Sequence, residues 1–170
     1  MIHNFTVRLD HAPSDDDFDV LYDAGLDDCL PVAGPGGHGQ LMVAREADTL
    51  VDALLSVVSQ LATAGFQAVG VESDDLVNQT AIGQRAGRTR ASVSLLAAGK
   101  RGPGGFPAPV SEGPHPLYSW AAVREWFRSQ YGDESAPGDR DSDTLVAADL
   151  LLRARLIAPN LRDLALLVAN

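Results

Sequence analysis

The sequence predicts an α+β protein: a βαββαβ domain over residues 1–73, a small module of short helices and extended segments over 76–129, and a C-terminal helical segment over 144–170. Three observations predict it. Apolar residues alternate at period two in His3–Leu9, the signature of a half-buried strand. They recur at helical spacing between Leu50 and Leu61. Two polar stretches break these patterns, Ser73-Asp74-Asp75 and GDESAPGDRDSD at 132–143. Their Gly, Pro, Ser and charge mark domain boundaries, and 130–143 is expected to be a flexible linker.

The elements of the first domain follow in order. Phe5, Val7 and Leu9 face inward from the first strand, with Thr6 and Arg8 outward. Ser14, followed by Asp15, Asp16 and Asp17, reads as a helix start, because serine caps free amides and carboxylates suit the positive end of the helix dipole. Phe18, Leu21, Tyr22 and Leu26 then fall on one helical face, and Gly25 helps to end the helix. The run GPGGHG at 34–39 joins a short Cys29–Val32 strand to Gln40–Ala44 as a hairpin. Asp48 is the expected cap of a longer helix with Leu50, Leu54, Val57, Val58 and Leu61 inward, closing at Gly65, and Gln67–Val71 is the last strand. This order of elements is that of a ferredoxin-like split βαβ fold, which hosts many functions.

Composition is that of a globular chain, 45% hydrophobic. No apolar stretch approaches the ~20 residues that span a bilayer. The start MIHNFTVRLD lacks the features of a signal peptide, so a cytoplasmic, nucleoid-associated protein is expected. The single cysteine, Cys29, leaves neither an internal disulfide nor a cysteine-rich zinc site. The net charge is −10, and its distribution is uneven. Residues 1–77 hold 2 basic and 14 acidic side chains, residues 130–170 hold 4 and 7, and residues 78–129 hold 7 and 2, a local net of +5. A basic island between acidic segments is the electrostatic footprint expected of one nucleic-acid-binding module.

That island carries a constellation. Thr80 is the expected cap of a short helix with Ala81, Ile82 and Ala86 apolar, and Gly87 supplies the positive φ of a tight turn. Thr89 can cap a second helix whose Val93 and Leu96 pack on Ile82. Arg88, Thr89, Arg90, Ala91, Ser92 and Ser94 are then the candidate DNA-contacting residues near its N-terminal end, where a helix-turn-helix meets base edges in the major groove. Arginine can bind guanine O6 and N7 bidentately, and serine is a less selective reader. GPGGFPAPV at 102–110 and Pro116–Trp120 form two extended segments around a turn at Glu112-Gly113-Pro114. Ser119 caps a further helix with Val123, Trp126 and Phe127 as its apolar stripe. Lys100, Arg101 and the amides of the glycine-rich run are candidates for phosphate contacts, which set register and salt dependence. In the C-terminal segment Leu145, Ala148, Leu151, Leu152 and Leu156 make an amphipathic helix, interrupted by Pro159, before a second short helix through Val168.

From Leu76 to Arg128 the chain resembles the winged helix-turn-helix of the MerR and excisionase (AlpA-like) superfamily, in IGQRAGRTRASVSLL, then FPAPV, then LYSWAAVREWF. The full chain resembles uncharacterised actinobacterial helix-turn-helix DNA-binding proteins. The resemblance implies that the second helix reads bases, that the wing contacts the backbone, and a role in transcription. Gly83 stands where that family usually has alanine, and the loop at 99–105 is longer and richer in glycine. The coiled-coil helix and metal-ligand cysteines of true MerR regulators are missing, so metal sensing is not implied.

The expected function is sequence-specific binding of double-stranded DNA by a transcriptional regulator. Because one short reading helix covers few base pairs, a homodimer is expected. The N-terminal domain would serve dimerisation, a protein partner or a small-molecule effector. The alternative is a protein-interaction adaptor, such as an antitoxin or a phage-type architectural factor. No cofactor, metal, membrane contact or catalysis is expected. Asp15–Asp19 reads as a solvated helix start, and the four histidines lie near no obvious ligand pair. Around Gly99-Lys100 a phosphate-binding loop fails, since Ser94 replaces its first glycine and Arg101 stands where a hydroxyl would hold magnesium.

Overall fold

Strand β1 (Ile2–Leu9) buries His3, Phe5, Val7 and Leu9 and turns the intervening side chains to the other face of its sheet. In the computed structural model, which describes residues 1–132 and 140–159, β1 lies at the centre of a four-stranded sheet. It pairs antiparallel with β3 (Gly39–Glu46) and with β4 (Ala68–Val71), while β2 (Cys29–Ala33) pairs antiparallel with β3, giving the order β2-β3-β1-β4. Helices α1 (Asp17–Asp23) and α2 (Leu50–Thr63) supply Leu21, Leu50, Ala53, Leu54, Val57 and Leu61 to the core built on the inner residues of the sheet. Ile2, Leu30 and Met42 remain exposed on other strand positions.

Local expectations for this part need three corrections. The cap of α2 is Thr49, whose hydroxyl accepts from the Asp52 amide, rather than Asp48. Helix α1 begins at Asp17 with Asp16 in the cap position, two residues too late for Ser14 to cap it; instead the amide and hydroxyl of Ser14 both donate to the Asp17 carboxylate. With only seven residues, α1 turns Leu21 into the core and leaves Phe18 and Tyr22 exposed at 46% and 67%, so they do not belong to the inward stripe.

A partly buried polar network lies beside the core of this unit. Arg45 Nε and Nη2 grip both oxygens of Asp28 at 2.6 and 2.7 Å, and the guanidinium also donates to Ser56, Gln60 and the Gly25 carbonyl. The Arg45 hydrogen bonds hold the Asp28 carboxyl below its ordinary value. Burial, reinforced by the neighbouring Asp28, pushes the Cys29 thiol up to about 12.

The chain divides into two units, Met1–Ser73 with the segment from Thr144, and Asp74–Asp143. The C-terminal segment therefore groups with the first unit rather than standing apart. The reason is visible on α6 (Arg140–Ile157): Leu145, Ala148 and Leu152 pack on the first unit's core. Asp149 accepts from the Val71 amide at 3.0 Å and pairs with Arg8, and Arg155 donates to the Ala68 carbonyl at 2.8 Å. These side chains satisfy polar groups of β4, an edge strand. Leu151 and Leu156, expected on the packed stripe, are exposed. Residues 140–143 form the first turn of α6 instead of linker. The rest of the expected linker, 133–139, and the expected helix after Pro159 lie outside the described residues.

The second unit holds the short pair β5 (Leu76–Val77) and β6 (Tyr118–Ser119), helices α3 (Gln79–Arg85) and α4 (Arg90–Ala97), and α5 (Trp120–Tyr131). Val77, Ile82, Val93, Leu96, Tyr118, Trp120, Val123, Trp126 and Phe127 form its core, with Phe106 packed against it. Ser119 caps α5 through the Ala122 amide, helped by Asp75, which accepts from Ala121 at 2.8 Å. Asp74 pairs with Arg85, so both aspartates read as a boundary belong structurally to this unit. The protein is thus mixed α and β, with a four-stranded antiparallel sheet and six α-helices among the described residues. None of those helices is long and apolar enough to cross a membrane.

Candidate nucleic-acid interface

Helices α3 and α4 meet through a tight turn. The cap of α3 is Asn78, accepting from Ala81 at 2.9 Å, and not Thr80; the asparagine two residues earlier has the extended backbone that a cap requires. Gly87 adopts φ +61°, and the Arg88 amide returns to the Gly83 carbonyl at 2.7 Å. Thr89 caps α4 through the Ser92 amide at 3.1 Å. Val93 and Leu96 of α4 are buried with Ile82 of α3, so the two helices share one apolar seam. Gly83 makes that approach possible. A Cβ there would lie 2.7 Å from the Arg88 carbonyl oxygen and 3.3 Å from the Arg90 nitrogen. Helix propensity counts a glycine against the first helix, but at 83 it is the contact point of the second.

The end of α4 is closed by a Schellman arrangement: Gly99, at φ +64°, donates to Leu96, and Lys100 donates to Leu95. The glycine-rich run beyond it is anchored to the core. Trp126 Nε1 donates to the Gly104 carbonyl at 3.0 Å, and the Phe106 ring meets Trp126 and Tyr118 edge-on. Val110 donates to Leu117 at 2.8 Å and Leu117 to Ser111 at 3.0 Å, drawing two extended segments together around an exposed turn at residues 112–115. That turn carries Glu112 and His115 but no lysine or arginine.

The structure sorts the basic residues of 78–129 into two groups. Arg85, Arg124 and Arg128 pair with Asp74, Asp143 and Glu125. Arg88, Arg90, Lys100 and Arg101 form no ion pair with a described residue, and all four fall in the turn, helix and loop of 88–101. Arg88 is the most constrained of these, its guanidinium lying 5.1 Å from the Phe127 ring centroid and 4.6 Å from that of Tyr131. The unit as a whole is close to neutral: residues 74–143 hold 8 basic and 9 acidic side chains, a net of −1. Among the described side chains of this unit, the basic ones without an acidic partner are those four.

Of the eight candidate contact residues, Arg90, Ala91 and Ser94 share the exposed side of α4. Lys100 and Arg101 are exposed beyond its other end, about 12 Å away for a helix of this length. Ser92 is half-buried, and the Thr89 hydroxyl is engaged in the cap. Sequence reasoning missed two members of the exposed strip, Leu95 and Ala98. Their sign was available in the sequence, since both lie at helical spacing from Ala91, but an apolar side chain is assigned to the core by default. No sequence signal placed Arg88 over the α5 rings. The chain matches no protein-family model, no curated protein and no solved structure.

Proposed function

We propose that this protein binds double-stranded DNA sequence-specifically and acts as a transcriptional regulator in the cytoplasm, with α4 as the reading helix. The observation that carries the reading is that, within residues 78–129, the four basic side chains without an acidic partner among the described residues all fall in the turn, helix and loop of 88–101. Unpaired exposed cations of this kind are able to neutralise phosphates, and an exposed helix N-terminal half bearing Arg90 suits base edges in the major groove. On this reading α3, α4 and the paired segments at 110–117 are a winged helix-turn-helix of the MerR and excisionase type. The turn at 112–115 lacks cations, so the phosphate contacts fall to Lys100 and Arg101 instead. The first unit, whose strand order β2-β3-β1-β4 supports a ferredoxin-like assignment, is proposed as the dimerisation or sensing domain.

The test is retention of fragmented genomic DNA by the full chain across 50–200 mM salt. Arg90→Ala should lose discrimination between sequences. Lys100→Ala should weaken all DNA alike and lower the salt slope by about one. Absence of retention at low salt, or two variants indistinguishable from wild type, overturns the proposal. The second reading, a protein-interaction adaptor, is favoured by one observation: α1 exposes Phe18, Val20 and Tyr22 among Asp16, Asp17, Asp19 and Asp23. That surface suits a basic protein partner, and co-purification of one with the first unit's surface intact would support it.

A further inference from the structure

The outward strip of α4 is apolar at its centre. At 100° per residue, Arg90, Ser94, Ala98, Ala91 and Leu95 follow one another across an arc of roughly 140°. All five are exposed, Leu95 at 39%. One of them carries charge, and none is an asparagine or glutamine for adenine or a carboxylate for cytosine. The opposite side of the helix is already occupied, with Val93 and Leu96 in the core. An apolar strip with unpaired cations at both ends, Arg90 on one side and Lys100 and Arg101 on the other, has the charge pattern of a body lying between two phosphate rails. The major groove is about 12 Å wide, close to the length of α4.

We infer that α4 recognises its DNA site chiefly through thymine methyl groups, packed against Ala91, Leu95 and Ala98, with a guanine at the Arg90 end. The 5-methyl of thymine is the one apolar group that a base pair presents in the major groove. Covering it removes apolar surface from water on both partners, whereas placing Leu95 against cytosine N4 or guanine O6 leaves a polar group dry and unpaired. Ser94, beside Arg90 on the strip, can donate or accept and adds no strong preference. The preferred site therefore combines a G·C pair with A·T pairs whose thymines face α4, and it disfavours runs of G·C. This inference rests on the DNA-binding reading above.

The experiment takes the full chain, selects bound duplexes from a random pool, and then replaces each thymine of the selected site singly by deoxyuridine. That exchange deletes the methyl, keeps the pairing and leaves the protein untouched. Expected is a selected motif holding guanine and thymine, with about fourfold weaker binding at each contacted thymine, the equivalent of about 0.8 kcal/mol per methyl-sized group. In Leu95→Ala one of those thymine positions should become insensitive to deoxyuridine while the others keep their effect. A motif of G·C pairs alone, or equal affinity for every deoxyuridine duplex, overturns the inference and leaves DNA binding standing. Failure to select any duplex overturns the DNA-binding reading itself, so the two failures are distinct.

Discussion

Replacing Gly83 by alanine separates what helix propensity predicts from what the packing of α3 on α4 predicts. In an isolated helix the change is favourable by about 1 kcal/mol, because glycine loses the most backbone entropy on ordering. In this structure the new methyl carbon meets the Arg88 carbonyl oxygen at 2.7 Å, with the Arg90 nitrogen and the Thr89 carbonyl carbon at 3.3 Å. All three are backbone atoms of the turn and the start of α4, so relief requires moving a helix rather than rotating a side chain. Overpacking of this kind costs about 1–3 kcal/mol. Set against the propensity gain, the net expectation is a loss of about 1 kcal/mol, a fall in melting temperature of roughly 4–8 °C for a unit of this size. Both tryptophans of the chain, Trp120 and Trp126, lie in the core of this unit, so intrinsic fluorescence follows its unfolding separately from that of the first unit. A melting temperature equal to or above that of the wild type would refute the argument that backbone proximity, rather than propensity, sets the residue at 83.

Phe127→Ala removes a fully buried ring from the centre of the aromatic cluster and should cost about 3–5 kcal/mol, enough to unfold much of this unit as read by the same fluorescence. In the first unit, Asp28 is held below its ordinary value of 3.8 by Arg45, so the folded state releases its proton more readily than the unfolded chain does. The stability from this pair is therefore present well above the unfolded value of 3.8 and is lost progressively as pH falls past it and through the lower folded value. Asp28→Asn should be less stable at pH 7 and should flatten that acid limb, measured by amide exchange in β1 and β3. Cys29, its thiol pushed up to about 12, should resist alkylation in the native protein at pH 8 and react promptly in denaturant. Equal rates in the two states would show that the thiol is neither buried nor held protonated.

Periodicity revealed most of the helices and strands because burial on one face imposes it. The stripe of Leu50, Leu54, Val57 and Leu61 is buried in α2, and Val123, Trp126 and Phe127 are buried in α5. Two caps, Thr89 and Ser119, stand where hydroxyl residues precede helical runs. Capping failed at Asp48 and Thr80, where Thr49 and Asn78, one and two residues away, cap instead, and at Ser14, where α1 starts from Asp16 without a side-chain cap. Neighbouring cap residues differ little in energy, and the tertiary position of the first buried side chain chooses between them.

Local order along the chain was enough to determine the α+β class, the turn at Gly87 and the stretch holding the unpaired cations, since each depends on residues close in sequence. Only the folded chain decided which cations stay unpaired, because the partners of Arg85 and Arg124, Asp74 and Asp143, lie outside the basic island. The same is true of Arg88 against Phe127 and Tyr131, of the need for glycine at 83, and of α6 satisfying β4 through Asp149 and Arg155. Each of these joins groups far apart in the chain or sets two backbones in contact, and distance along a sequence carries no record of such proximity.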